Sequence, residues 1–503
     1  MNIVLLILGR FLAFIPRAVA SGICKAVGFL IIYFPNSRAR VAFANIKRCF
    51  PNLEKREIRR IAYESAKRMV EMGIFVLASP YIGDKELKQR IKIAPYFAGE
   101  IEKNISEPKP TVLLIPHFCM MESITMLPMI FPVKMPPTGV FYRPFDNAGI
   151  EKWVKHTRER CGIHLLSRKE SLFAANDFLK SGGCVGVLFD QDAGSAGAVS
   201  PFFGRLASTS EIGELMAERL KCRIGVVWAR RTGFWRAEIN AQYLGGETAE
   251  EMLFNSNAWL EDKLKSDETA RLDWLWLHKR WKTQKYPKLR FQISHRRVIL
   301  DEYKKHFNLE ELPRKSDFLF LMPSSARECV EILPLFAAIR RARPDSRITL
   351  LASEENAAAL DGVEIAERIV ALPLEKKRRA EILKGLAGEY PELCAVLENS
   401  KPALRDAKKI AAEQTYGFVF KGERKPRVLE FCAELDSRDR SLPKIKILEK
   451  FLQKFGLKEP ADFPRVEFKN RAASHALDAK NLRAFKTDEE LRVALKNSSK
   501  IEY

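Results

Sequence analysis

Pro110-Thr-Val-Leu-Leu-Ile115-Pro-His117-Phe-Cys-Met-Met-Glu122 reads in two halves. Thr111 to Ile115 is a short apolar run bounded by prolines, the pattern of a strand buried on both faces. Two runs of the same kind follow. Cys184-Val-Gly-Val-Leu-Phe189 comes after the turn at Gly182-Gly183, and Ile224-Gly-Val-Val-Trp-Ala229 after a helical pattern at 210–221. Further helical patterns lie at 149–160 and 170–180. Upstream, Ile58, Ile61, Ala62, Ala66, Met69, Val70 and Ile74 form one stripe of a helix over 54–78. Strands alternating with helices predict an α/β layered domain.

The second half carries chemistry. A histidine just past a buried strand, with a carboxylate five residues on, suits activation of a hydroxyl. The imidazole takes the proton while the carboxylate sets its tautomer and stabilises the imidazolium. Five residues do not share one helical face, so His117 and Glu122 need a turn between them, with Glu122 opening the next helix. The spacing alone is common, and a histidine at a strand end also serves as a structural hydrogen-bonder.

Outward from this stretch, the 503 residues bound the chain at two to four domains. A net charge of +22 calls for an anionic partner: nucleic acid, membrane or acidic substrate. Nine scattered cysteines without a CxxC argue against a disulfide framework or a zinc site and suit a reducing compartment. Residues 1–50 hold seven Lys or Arg and no acid, with apolar runs between them. The charge-free run 26–37 is shorter than the ~20 residues of a full span. Residues 1–36 therefore read as an uncleaved helix or helix pair lying in, or dipping into, the inner leaflet. The competing readings are a basic core helix and a single span with Lys25 snorkelling.

The first α/β pattern ends near Trp281, and a second opens at Asp317-Phe-Leu-Phe-Leu-Met322. A helix at 326–342 and a strand over Arg347 to Leu351 continue it. The expected organisation is an anchor at 1–36, a catalytic domain at 37–297, a linker at 298–316, a second domain at 317–470 and a loosely ordered charged tail at 471–503.

Several ordered segments resemble one family. They are His117 to Glu122, Phe141-Tyr-Arg-Pro144 with Asn147, Leu188-Phe-Asp-Gln-Asp192, Phe202-Phe-Gly204 with Thr209, and Trp274-Leu-Trp-Leu-His-Lys-Arg-Trp-Lys282. Arg40 to Leu53 also fits. Over residues 1–285 the chain resembles the lipid A biosynthesis lauroyl/myristoyl acyltransferases of the lysophospholipid-acyltransferase-like superfamily. The resemblance implies an α/β fold: a mixed sheet flanked by helices with an N-terminal membrane-associated helix. It implies transfer of a fatty acyl chain from acyl carrier protein to a hydroxyl of a lipid A precursor, at the cytoplasmic face of the inner membrane. Neither a metal nor a nucleotide cofactor is needed. His117 is then the base and Glu122 its orienting carboxylate. Arg143 is the oxyanion donor or phosphate grip, and Asp190 or Asp192 holds Arg143, unless that carboxylate caps the following loop. Phe202-Phe-Gly204 shapes the acyl site or simply packs. Cys119 reads as a small packing residue, and the Cys-Met-Met after His-Phe departs from the family's usual small residue or Asn. A different glycolipid or a lysophospholipid as acceptor, or a non-catalytic basic membrane binder, are the other readings.

From Lys279 to Arg297 there are eight Lys or Arg, Lys279, Arg280 and Lys282 among them, and no acid. With Trp274, Trp276, Trp281, Tyr286 and Phe291 interleaved, the run reads as a surface for lipid headgroups or the acidic carrier protein rather than for nucleic acid. Residues 317–460 resemble the N-terminal half of the family 9 glycosyltransferases, the heptosyltransferases. The carriers are Phe318 to Pro334, Ile339 to Leu350, Tyr416-Gly-Phe418 and Leu448 to Leu457. This implies a second, Rossmann-like α/β half-domain. Arg327-Glu328 stands where that family has Gly-Asp, and the half that would hold a sugar nucleotide is not in the sequence. The expectation is a non-catalytic module.

Overall fold

The computed structural model describes residues 3–34, 36–167, 171–293, 297–458 and 487–496. The chain divides into two units. One comprises Met1–Phe203, Ala207–Lys282 and His295–Phe307; the other comprises Gly204–Leu206, Thr283–Ser294 and Asn308–Tyr503.

The strands of the first unit are β1 (Ile91–Ile93), β2 (Thr111–Ile115), β3 (Thr138–Tyr142), β4 (His164–Ser167), β5 (Cys184–Leu188), β6 (Ala198–Phe202), β7 (Arg205–Thr209, whose first two residues group with the second unit), β8 (Arg223–Gly233), β9 (Arg236–Tyr243) and β10 (Arg297–Val298). Seven make a mixed sheet in the order β1-β9-β8-β2-β5-β3-β4. All its neighbours run parallel except the β8–β9 hairpin. Strand β2 sits centrally, which is why Thr111 to Ile115 is an unbroken apolar run rather than an alternating one. Helices cover the sheet, and its core includes Val112, Leu114, Val185, Val187 and Val226, all almost wholly buried. Each such side chain contributes about 1.5–3 kcal/mol by leaving water.

The helix Lys55–Ala78 buries Ile58, Ile61, Ala62 and Ala66, as the stripe predicts. Against it lies the helix Arg17–Tyr33, preceded by Ile3–Phe14 at a bend of 116°. A Cβ on Gly28 would stand 2.9 Å from the Lys67 backbone, so glycine sets how closely these helices cross. Ile3, Val4, Ile7, Phe11, Phe14, Phe29 and Leu30 remain exposed on the two N-terminal helices. No single helix among the described residues is long and apolar enough to cross a membrane.

The second unit is a Rossmann-like α/β half-domain. Its strands are β11 (Ser316–Leu321), β12 (Ser346–Ser353), β13 (Arg368–Leu372), β14 (Leu393–Val396), β15 (Gln414–Phe420) and β16 (Phe431–Leu435). They form a fully parallel sheet in the order β13-β12-β11-β14-β15-β16. The helix expected at 326–342 is two, Ala326–Glu331 and Leu333–Ala342, because Pro334 has no N–H to continue the first.

Two boundaries differ from expectation. Residues 298–316 are not a bare linker: the helix Asp301–Phe307 belongs to the first unit. Thr283–Ser294, expected in the catalytic domain, groups with the second unit. There Arg290 is wholly buried and bonds Glu392 at 3.1 Å, a pairing that no local pattern announces. The expected charged tail lies outside the described residues except for the helix Asp488–Lys496.

Candidate active site

Strand β2 pairs in parallel with β5, with Ile115 opposite Leu188. Two residues beyond each partner stand His117 and Asp190, so the register brings them abreast at the carboxyl edge of the sheet. The turn after β2 is held by Phe118 N–H to the Pro116 carbonyl at 2.8 Å and Met121 N–H to that of Phe118 at 3.0 Å.

His117 Nδ1 lies 2.5 Å from Asp190 Oδ1, and the His117 backbone N–H donates to Oδ2 at 2.9 Å. Trp274 Nε1 donates to the same Oδ2 at 2.6 Å. Burial alone would raise the Asp190 carboxyl, but the His117 ring and N–H and the Trp274 indole together hold it below its ordinary value. An ionised Asp190 takes the Nδ1 proton as an acceptor, which leaves His117 Nε2 as the basic nitrogen. Nε2 has no hydrogen-bond partner among the described residues, and the ring is half-buried.

Glu122 does not orient His117, contrary to expectation. It opens the 3₁₀ helix Met121–Met126 and accepts Arg158 Nε at 2.5 Å and Nη2 at 2.9 Å, a bidentate pair. Arg158 comes from the helix Ala148–Glu159, whose first turn is capped by the Asn147 side chain. Desolvation opposes its charge, yet Glu122 raises the guanidinium pKa above its usual value. The reason for the exchange of partners is geometric. The turn that ends β2 aims His117 toward the neighbouring strand's exit, while Glu122 faces the helix that follows β3.

Arg143 is exposed, and the expected bond to Asp190 or Asp192 is not formed. Asp190 is committed to His117 and Trp274. Asp192 Oδ1 instead accepts the Gly194 N–H at 3.1 Å, which is the loop-capping alternative. Arg280 is not on the surface: it is 1 % exposed, with Nη1 on the Ser208 carbonyl at 2.7 Å and Nη2 on Thr209 Oγ1 at 2.6 Å. Burial lowers its pKa to about 10. Lys279 and Lys282 are exposed. The basic run is thus several different things, since Arg297 pairs with Glu211 and Glu250 and only part of it faces solvent. Arg296 lies outside the described residues.

Phe202 is fully buried beside Trp274 and Trp281, so that motif packs. Cys119 is buried, its thiol donates to the Arg68 carbonyl at 2.9 Å, and burial pushes its pKa well up, which suits a packing residue. Sequence reasoning missed Arg158, whose only signal was its place on an amphipathic helix, and His278, which passed as part of a motif. Behind β2, a cavity of about 50 Å³ is lined by Leu113, Ile115, Ile124, Leu127, Val140 and Val227, among others. Its wall is mostly apolar and includes Ile115 and Ile124, which lie outside the two ends of the His117–Glu122 segment.

A family model described as bacterial lipid A biosynthesis acyltransferase matches residues 2–283. No curated protein matches the chain. A solved structure, the glycosyl transferase family 9 from Veillonella parvula DSM 2008, is similar at 15% identity and a TM-score of 0.25. The match covers 32% of this chain and 46% of that one, less than half its length.

Proposed function

The chain belongs to the bacterial lipid A biosynthesis acyltransferase family, and from that membership we propose that it moves a fatty acyl chain from an acyl carrier protein thioester to a hydroxyl of a lipid A precursor. The observation that carries the mechanism is His117, anchored at Nδ1 by Asp190 2.5 Å away and unengaged at Nε2. The acceptor hydroxyl gives its proton to Nε2 as its oxygen attacks the thioester carbonyl. Asp190 stabilises the imidazolium that results. The tetrahedral oxyanion then collapses, the C–S bond breaks, and the carrier's thiolate takes the proton from His117. An ester and a free thiol leave, and no metal or cofactor is drawn on because the thioester is already activated.

Glu122 serves by holding Arg158, whose Nη1 has no partner among the described residues and is free to meet the oxyanion. Arg143, Lys279 and Lys282 are exposed cations that suit the acidic carrier protein or lipid phosphates. The exposed apolar residues of Ile3–Phe14 and Arg17–Tyr33, with no acid among them, support attachment to the cytoplasmic face of the inner membrane. We read the second unit as a heptosyltransferase-like module; its Glu328 is tied to Lys444 at 3.0 Å.

An acyl-transfer assay on detergent-purified protein tests this. With a panel of carrier-protein thioesters and a Kdo-modified tetraacyl lipid A precursor, the product gains the mass of one acyl chain, and His117→Ala abolishes it. Acylation of a lysophospholipid instead, with the lipid A precursor untouched, would replace the acceptor assigned above. No transfer to any acceptor would end the catalytic reading.

A further inference from the structure

A second cavity, of about 610 Å³, opens where the helix Arg17–Tyr33 gives way to Ser37–Cys49. Asn36, Ser37, Arg38, Gln191 and His278 supply its polar wall, and among the described residues no Asp or Glu lines it. It adjoins the catalytic machinery, because Gln191 directly follows Asp190.

His278 is set as a donor. Its Nε2 accepts the Asp192 backbone N–H at 2.8 Å, so the ring proton sits on Nδ1. That Nδ1–H has no acceptor among the described residues. Burial, with Arg280 beside it, lowers the ring's pKa to about 4, so the imidazole is neutral near pH 7. Arg38 is exposed and pairs with no carboxylate among the described residues; its one contact is a long 3.5 Å bond to the Leu277 carbonyl. The Ser37 hydroxyl is likewise unengaged there. A cation and two donors therefore line a space whose wall holds no carboxylate among the described residues, beside the base of the reaction.

We propose that this cavity binds a phosphate ester of one of the two substrates, with Arg38 meeting the charge and Ser37 and His278 Nδ1–H donating to its oxygens. The inference rests on the acyl-transfer reading. Two sources share the chemistry: a sugar phosphate of the glycolipid acceptor, and the phosphodiester of the carrier protein's prosthetic arm. Either would anchor its substrate close to His117.

The test uses the full chain in a non-ionic detergent, with Arg38→Ala and Arg38→Lys. Arg38 is exposed, so neither variant threatens the fold. Arg38→Ala is expected to raise KM for one substrate about tenfold with kcat little changed, and Arg38→Lys to recover much of the loss. If the acceptor supplies the phosphate, a dephosphorylated acceptor reproduces the loss in the unmodified protein and erases the difference between variants. If the carrier supplies it, the shift falls on the thioester and persists with that acceptor. Unchanged KM for both substrates overturns the proposal, as does a loss confined to kcat. Equilibrium titration with the phosphorylated glycolipid and with the acyl carrier protein separates this from a failure of the acyl-transfer reading. Weaker binding of one probe to Arg38→Ala supports the site even without turnover, and equal binding of both refutes it.

Discussion

Asp190 Oδ2 accepts from Trp274 Nε1 at 2.6 Å while Oδ1 of the same carboxylate lies 2.5 Å from His117 Nδ1. A residue more than eighty positions downstream thus fixes the carboxylate that fixes the base.

Asp190→Asn should keep the shape and lose the acceptor, presenting the wrong tautomer of His117. Acyl transfer is expected to fall roughly a thousandfold or more, with secondary structure by circular dichroism unchanged. The same substitution has a signature in stability. The Asp190 pKa is lowered in the folded chain, so the carboxylate stabilises above its ordinary pKa and loses that contribution as pH falls through the lowered one. Melting curves taken down the acid limb should show a shallower decline in Asp190→Asn. An active Asn variant would remove Asp190 from the mechanism.

Glu122 and Arg158 should behave as one group. Glu122→Ala leaves a largely buried guanidinium without its carboxylate and is expected to cost about 3 kcal/mol of stability along with most activity. Adding Arg158→Ala should restore part of that stability without restoring transfer. A double-mutant cycle on melting and kcat measures this, and strict additivity would show that the pair is not coupled.

Glu214 predicts the opposite pH behaviour. Burial raises its pKa to about 7, and only one oxygen has a partner, Ser256 Oγ at 3.2 Å. The folded chain holds this proton more tightly than the unfolded one, so stability is present at low pH and declines as pH rises from the ordinary carboxylate value through about 7. Glu214→Gln should flatten that decline and melt higher at pH 8. A steeper decline in the variant would contradict the assignment.

Arg280 should part company with its neighbours. Arg280→Ala strands the Ser208 carbonyl and Thr209 Oγ1 and is expected to cost about 2 kcal/mol. Lys279→Ala with Lys282→Ala should leave the melting temperature alone and weaken binding to anionic vesicles or carrier protein. Vesicle co-sedimentation across a salt series measures the second effect.

Much of the fold was legible because its signals are local. Thr111 to Ile115 reads as a doubly buried strand from five residues, and Lys55–Ala78 as a helix from the spacing of Ile58, Ile61, Ala62 and Ala66. His117, Glu122 and Asp190 were legible as chemistry-bearing residues in motifs, and the family followed from the order of those motifs. Legibility stopped at pairing. Spacing joined His117 to Glu122 because they are five apart, and charge joined Arg143 to Asp190 or Asp192 because opposite signs attract.

Apolar periodicity, strand-helix alternation and the residue types at the carboxyl edge of the first sheet belong to the sequence, since each depends on neighbours within a few positions. The tertiary structure alone decided which charges meet. The Ile115–Leu188 register sets His117 against Asp190, a helix three turns long carries Arg158 to Glu122, and the fold encloses Arg280 while leaving Lys279 and Lys282 in water. Such pairings depend on strand order and on which side chains lose their water, and those follow from packing the chain in three dimensions, not from its order in one.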